Sequence, residues 1–109
     1  MTDFIYRIPA PSVEISGRTE RFAVRRIFCV GRNYAEHARE FGNDERDPPF
    51  FFTKPADAIV PSGAALTYPS LTQDLHHEAE LVIAIGKGGR DIAAKDAASH
   101  IFGFACGND

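Results

Sequence analysis

The sequence predicts a mixed, β-rich α+β protein. Three observations carry this expectation. Short aromatic and β-branched runs recur between Gly- and Pro-containing breaks, the clearest over residues 77–85. Residues 33–42 show helical periodicity with signals at both ends. A second short helical segment, residues 93–100, separates the last two strands. Strands and helices that do not alternate regularly belong to the α+β class. A length of 109 residues allows one small domain at most, or part of a larger one.

Taken in order, residues 1–22 mix Pro9, Pro11, Gly17 and scattered charges, and read as an extended arm or a short edge hairpin. Residues 22–30, Phe-Ala-Val-Arg-Arg-Ile-Phe-Cys-Val, read as a strand that ends at Gly31. A helix follows: Asn33 is a fair N-cap, Glu36 completes a capping box, and Gly42 is placed to end it. Tyr34, His37, Ala38 and Phe41 share one face of that helix. Phe50, Phe51, Phe52, Thr53 and Lys54 form a short aromatic strand closed by Pro55. Pro61-Ser62-Gly63 signals a turn, and residues 65–68 a further strand stopped by Pro69. After the strand 77–85, Gly86 to Arg90 make a flexible turn, residues 93–100 a helix, and residues 101–107 the last strand.

Composition narrows the function classes. Hydrophobic residues are 44% and charged residues 25%, both ordinary for a globular protein. Twelve Lys and Arg against fifteen Asp and Glu give a net charge of −3, so no basic excess exists to neutralise nucleic-acid phosphates. Uncharged apolar stretches such as residues 81–86 are too short for a bilayer, and the N-terminus lacks a basic start followed by an apolar run. Cys29 and Cys106 are far apart in apolar stretches and read as buried thiols of a reducing, cytoplasmic compartment rather than as a disulfide.

The most informative stretch is His76-His77-Glu78-Ala79-Glu80-Leu81-Val82-Ile83-Ala84-Ile85. Alternate strand side chains point the same way, so Glu78 and Glu80 share a face that Val82 and Ala84 continue. Two like charges this close are relieved by a proton or by a cation. Hard ions such as Mg²⁺ or Mn²⁺ take carboxylate oxygens. The competing reading is a wet strand with solvated glutamates. His37 and Glu40, at i and i+3 on the helix, can meet; a carboxylate against one ring nitrogen makes the other a better base. Against this, His37 also lies on the apolar stripe, where a hydrogen-bonded core histidine is common. Lys54, beside three aromatics, and Arg32, at a strand-to-helix turn, are each an anion contact or a surface charge. His76 and His77 are adjacent, so on a strand they face opposite ways and make a poor zinc pair. Residues 86–89 lack the P-loop spacing.

These segments together resemble the fumarylacetoacetate hydrolase family. The matching pieces are Cys29-Val30-Gly31-Arg32-Asn33-Tyr34 with His37 following, Phe52-Thr53-Lys54-Pro55, His77-Glu78-Ala79-Glu80-Leu81, Ile85-Gly86-Lys87, and Gly103-Phe104-Ala105-Cys106-Gly107-Asn108-Asp109. They run in the family's order and cover nearly the whole chain from about Ile27 on. Residues 25–40 look like the small bacterial acylpyruvate hydrolases. Residues 48–57 look most like the fumarylpyruvate hydrolases of gentisate degradation, part of aromatic catabolism.

The resemblance implies the N-terminal half of a fumarylacetoacetase-type mixed β-roll, with residues 1–24 as an arm and 25–109 as a partial catalytic domain. It implies Glu78, Glu80 and Asp109 as ligands of Mg²⁺ or Mn²⁺, His37 and Glu40 as the dyad that activates water, and Lys54, with Arg32, as substrate contacts. It implies a homodimer acting on a keto acid, with neither nucleic acid nor membrane as partner. The expected reaction is C–C hydrolysis of an acylpyruvate, fumarylpyruvate giving fumarate and pyruvate. Oxaloacetate decarboxylation and dienedioate decarboxylation or isomerisation are the alternatives within the family. Family chains continue well beyond the third ligand, so a truncated chain, and with it an inactive fragment, is also expected.

Overall fold

The computed structural model describes residues 2–31 and 48–109. The helix expected over 33–42, and with it Arg32, His37 and Glu40, lies outside the described residues. The chain divides into two units, Met1–Leu66 and Thr67–Asp109. Among the described residues there are six strands in three antiparallel pairs and two short 3-10 helices, the β-rich character that the sequence predicts.

In the first unit, β1 (Ser12–Glu14) and β2 (Arg21–Ala23) form a hairpin with Ser12 opposite Ala23 and Glu14 opposite Arg21. Of the two expectations for the N-terminal segment, an extended arm or a short hairpin, the hairpin is the one formed. Its turn is closed by the Arg18 N–H donating to the Ile15 carbonyl at 3.1 Å, and Gly17 takes the left-handed φ of 75° that this position demands. Arg21 donates from Nε to Ser12 Oγ at 2.8 Å and lies 3.5 Å from Glu14 Oε1; both groups are solvated, so the pair adds little.

The single strand expected over 22–30 is two. β2 ends at Ala23 and β3 spans Ile27–Gly31. The break at 24–26 exists because the halves have different partners: the Val24 N–H is used by the Pro11 carbonyl at 2.8 Å, whereas β3 pairs with β4 (Phe50–Lys54). The β3–β4 register sets Ile27 opposite Lys54, Cys29 opposite Phe52 and Gly31 opposite Phe50. These positions share one face, and Ile27, Cys29 and Lys54 are half-buried there and Gly31 buried. Phe28, Val30 and Phe51 lie on the other face, with Phe51 62% exposed. Pro55 ends β4, and a 3-10 turn, Ala56–Ala58, follows.

The strand expected over 65–68 is absent. Residues 64–69 form no strand, and Leu66 and Tyr68 are exposed. Pro69 removes a ladder donor, and among the described residues no strand pairs with this segment. The Tyr68 hydroxyl instead accepts the Leu75 N–H at 3.2 Å.

In the second unit, β5 (Ala79–Ile85) pairs with β6 (Ile101–Asn108). The register is continuous from Ala79–Asn108 to Ala84–Gly103, then slips by a bulge so that Ile85 faces Ile101. Between them, the short helix expected over 93–100 is present as a 3-10 helix, Ala94–His100. Seven residues supply too few i→i+4 bonds to repay helix nucleation, and the Ser99 hydroxyl donates to the Asp96 carbonyl at 2.7 Å, favouring the tighter turn. Among the described residues no helix is long and apolar enough to cross a membrane.

Candidate metal centre

The β5–β6 ladder builds the site. Glu80 lies opposite Gly107 and Ala79 opposite Asn108. One step further out, the Asp109 N–H donates to the Glu78 carbonyl at 2.9 Å, so Asp109 lies opposite Glu78. Directly opposed residues of an antiparallel pair project to the same side, and strand residues two apart share that side. Glu78, Glu80 and Asp109 therefore converge. Each offers a carboxylate oxygen, and the three oxygens lie within 4.8 Å of one another. Glu80 is half-buried and the other two are exposed.

The rest of this face is small: Gly107, Ala105 and Gly103 of β6, with Val82 and Ala84 of β5. Its half-buried members, Glu80, Ala84, Gly103 and Gly107, contrast with the opposite face, where Leu81 is 62% and Phe104 66% exposed. A side chain at Gly107 would sit beside Glu80; a Cβ there would lie 2.7 Å from Val82 Cγ2. Position 107 is therefore bare because Val82 occupies the space that a Cβ would need.

Three oxygen donors of formal charge −3 fit a hard divalent cation, which accepts carboxylate oxygens and retains further positions for water or ligand. A thiolate- or imidazole-preferring ion has no such donors in this cluster.

The structure brings together the three residues singled out as metal ligands. Lys54, the candidate substrate contact, closes β4 in the first unit and is half-buried. His76, outside β5, engages Asp74 at 2.7 Å. Two contacts were not legible in the sequence. The Asn108 side-chain oxygen accepts the Glu78 N–H at 2.9 Å, and His100 Nδ1 lies 2.9 Å from the Lys87 carbonyl, which accepts its proton. An Asn at a strand end carries no local signal for a partner 30 residues away.

Comparison with known proteins agrees with this architecture. The chain is similar over its whole length to the crystal structure of a candidate fumarylpyruvate hydrolase from Burkholderia cenocepacia, at 56% identity and a TM-score of 0.84, covering 46% of that chain. It is similar over 98% of its length to the fumarylpyruvate hydrolase of Pseudomonas aeruginosa solved with Mn²⁺ and pyruvate, at 54% identity and a TM-score of 0.87, covering 48% of that chain. Among curated relatives, the mitochondrial oxaloacetate decarboxylase of Dictyostelium discoideum is 45% identical over 86 residues, which are 78% of this chain and 39% of the relative. The mitochondrial oxaloacetate tautomerase of Homo sapiens is 40% identical over 81 residues, 74% of this chain and 37% of the relative. The chain thus spans about two fifths of the length of these curated relatives. Residues 26–109 match the model of the fumarylacetoacetate (FAA) hydrolase C-terminal family, so a carboxylate-bearing β5–β6 hairpin of this register sits in a chain that belongs to the fumarylacetoacetate hydrolase family.

Proposed function

We propose that residues 25–109 are part of the catalytic domain of a divalent-metal-dependent hydrolase that cleaves the C–C bond of an acylpyruvate, with fumarylpyruvate as the substrate and fumarate and pyruvate as products. The observation that carries this reading is the convergence of Glu78, Glu80 and Asp109 in a chain 54% identical to a fumarylpyruvate hydrolase that holds Mn²⁺ and pyruvate. We assign these three carboxylates as ligands of Mg²⁺ or Mn²⁺. When bound, such an ion supplies a Lewis acid that polarises the dioxo acid and offsets negative charge on the departing group.

The remaining roles fall to the chain's own side chains. Glu40, three residues after His37, holds the imidazole in one tautomer. The other ring nitrogen of His37 takes a proton from water, and the hydroxide adds to the 4-carbonyl. Scission of the C–C bond releases fumarate and pyruvate enolate, and the proton on His37 returns to the enolate carbon. Lys54 and Arg32 supply positive charge for the substrate carboxylates. A homodimer is the working form that the family resemblance supports; Cys29 is half-buried and Cys106 exposed, rather than both buried as expected, and two unbridged thiols fit a cytoplasmic setting.

A second reading, decarboxylation of oxaloacetate, is favoured by the 45% identity to the Dictyostelium enzyme. Both substrates present a 2-keto carboxylate, so the same ligands serve either. The discriminating experiment supplies the intact protein with Mn²⁺ and either fumarylpyruvate or oxaloacetate. Fumarate and pyruvate from the first, in equal amounts, are expected. Release of CO₂ from oxaloacetate with no hydrolysis of fumarylpyruvate overturns the first reading in favour of the second.

A further inference from the structure

We propose that Asn108 is a positioning residue of the carboxylate site, its side-chain amide replacing the ladder bond that would otherwise fix Glu78. This rests on the reading that Glu78, Glu80 and Asp109 hold a divalent ion. In a continued antiparallel ladder, Glu78 and Asp109 would exchange two main-chain bonds. One of them is made: the Asp109 N–H donates to the Glu78 carbonyl at 2.9 Å. For the other, the Glu78 N–H turns to Asn108 Oδ1 at 2.9 Å instead of to the main chain of Asp109.

Asn108 therefore does two things at once. Its main chain sits opposite Ala79 and carries β6 to its last paired position. Its side chain crosses back and holds the residue just before β5, outside the strand proper. Glu78 is exposed and lies just outside β5, so without that bond the Asp109 N–H is its remaining main-chain anchor. A ligand whose backbone is free to swing loses affinity, because the ordering must then be supplied on binding. Glu80, inside the ladder, does not depend on this support. Ala79, small and opposite Asn108, leaves room for the amide to lie across the strand end.

The test uses the intact protein and Mn²⁺ alone, titrated while the free-ion electron paramagnetic resonance signal is followed, together with amide hydrogen exchange at Glu78. Asn108→Ala is expected to weaken Mn²⁺ binding about tenfold, the lower end of the effect seen when a partner that orients a metal ligand is removed. It is also expected to abolish protection of the Glu78 amide and to leave the thermal midpoint of the fold within experimental scatter. Asn108→Asp keeps an acceptor oxygen at the same reach, so it restores both affinity and amide protection; added negative charge alone would restore only the affinity. Wild-type binding with an unchanged Asn108→Ala affinity, or a Glu78 amide unprotected in the wild type, overturns the positioning role and leaves the metal reading standing. Failure of the wild type to take up Mn²⁺ overturns the metal reading and the role built on it.

Discussion

The main-chain N–H of Asp109 donates to the carbonyl of Glu78 at 2.9 Å, and this one bond fixes how two distant carboxylates meet. It continues the β5–β6 pairing one step past Ala79 and Asn108. Because opposed residues project to one side, the Asp109 carboxylate is delivered next to that of Glu78, and the pleat adds Glu80 two residues on. Three anionic groups crowded into one exposed strand end are a cost to folding unless a cation offsets it. On the reading that the three carboxylates hold a divalent ion, the register that creates this cost also supplies the oxygen ligands.

Replacing a ligand by its neutral isostere tests that balance. Glu78→Gln and Glu80→Gln keep size and hydrogen bonding but remove one charge each. Each is expected to weaken Mn²⁺ binding by at least about a hundredfold, since even partners of ligands are worth about 10–100-fold. Isothermal titration with Mn²⁺ reads the loss. The same variants are expected to be slightly more stable than wild type in metal-free buffer, because like-charge repulsion falls. Equal Mn²⁺ affinity in both variants and wild type would remove these residues from the site.

Gly107 is the position where the β6 backbone must stay bare. A Cβ there meets Val82 Cγ2 at 2.7 Å, on the face and at the register position of Glu80. Gly107→Ala is expected to cost about 1–3 kcal/mol by overpacking and to lower Mn²⁺ affinity, because the displaced Val82 neighbours Glu80 along the face. Val82→Ala in the same chain removes the colliding methyl groups and is expected to recover most of both losses. Chemical denaturation and Mn²⁺ titration of the two single variants and the double variant check this coupling.

How far the sequence disclosed this arrangement depended on whether the controlling interaction was local. The period-two pattern of Glu78, Glu80, Val82 and Ala84 put two carboxylates on one face, and the strand delivers them there. Pro55 marked the end of β4 correctly. The break between β2 and β3 was not visible, since the exchange of partner from β1 to β4 leaves no trace in the local apolar pattern. Residues 65–68 look like a strand by composition, but a strand needs a neighbour, which composition cannot supply. The role of Asn108 is hidden for the same reason: its bond to Glu78 exists only once the hairpin has chosen its register.

His100 anchors the far end of the same hairpin. Its carbonyl accepts the N–H groups of Gly86 at 2.9 Å and Lys87 at 3.2 Å, while its ring Nδ1 donates to the Lys87 carbonyl at 2.9 Å. His100→Ala keeps both main-chain bonds and loses the ring's, so a destabilisation of about 1 kcal/mol is expected. The denaturant midpoint measures it. Mn²⁺ affinity should not change, because the carboxylates sit at the opposite end of the ladder; a matching loss of affinity would mean that the two ends are coupled.

Gly31 and Phe50 test the β3–β4 pair in the same spirit. They are opposed in the register, and the Phe50 ring lies over the buried glycine, occupying the space that a Cβ at position 31 would take. The ring thereby shields a stretch of backbone that has no side chain of its own, the aromatic cover by which a strand glycine is made tolerable. Gly31→Ala must push the ring aside and is expected to cost about 1–3 kcal/mol. Phe50→Ala alone loses the ring's contacts but only part of a full core truncation, because the ring is 50% exposed. In the double variant the new methyl group enters space the ring has vacated, so its loss is expected to fall short of the sum of the two single losses. Urea unfolding of all four chains measures that difference directly, and strict additivity would show that the ring and the glycine do not depend on each other.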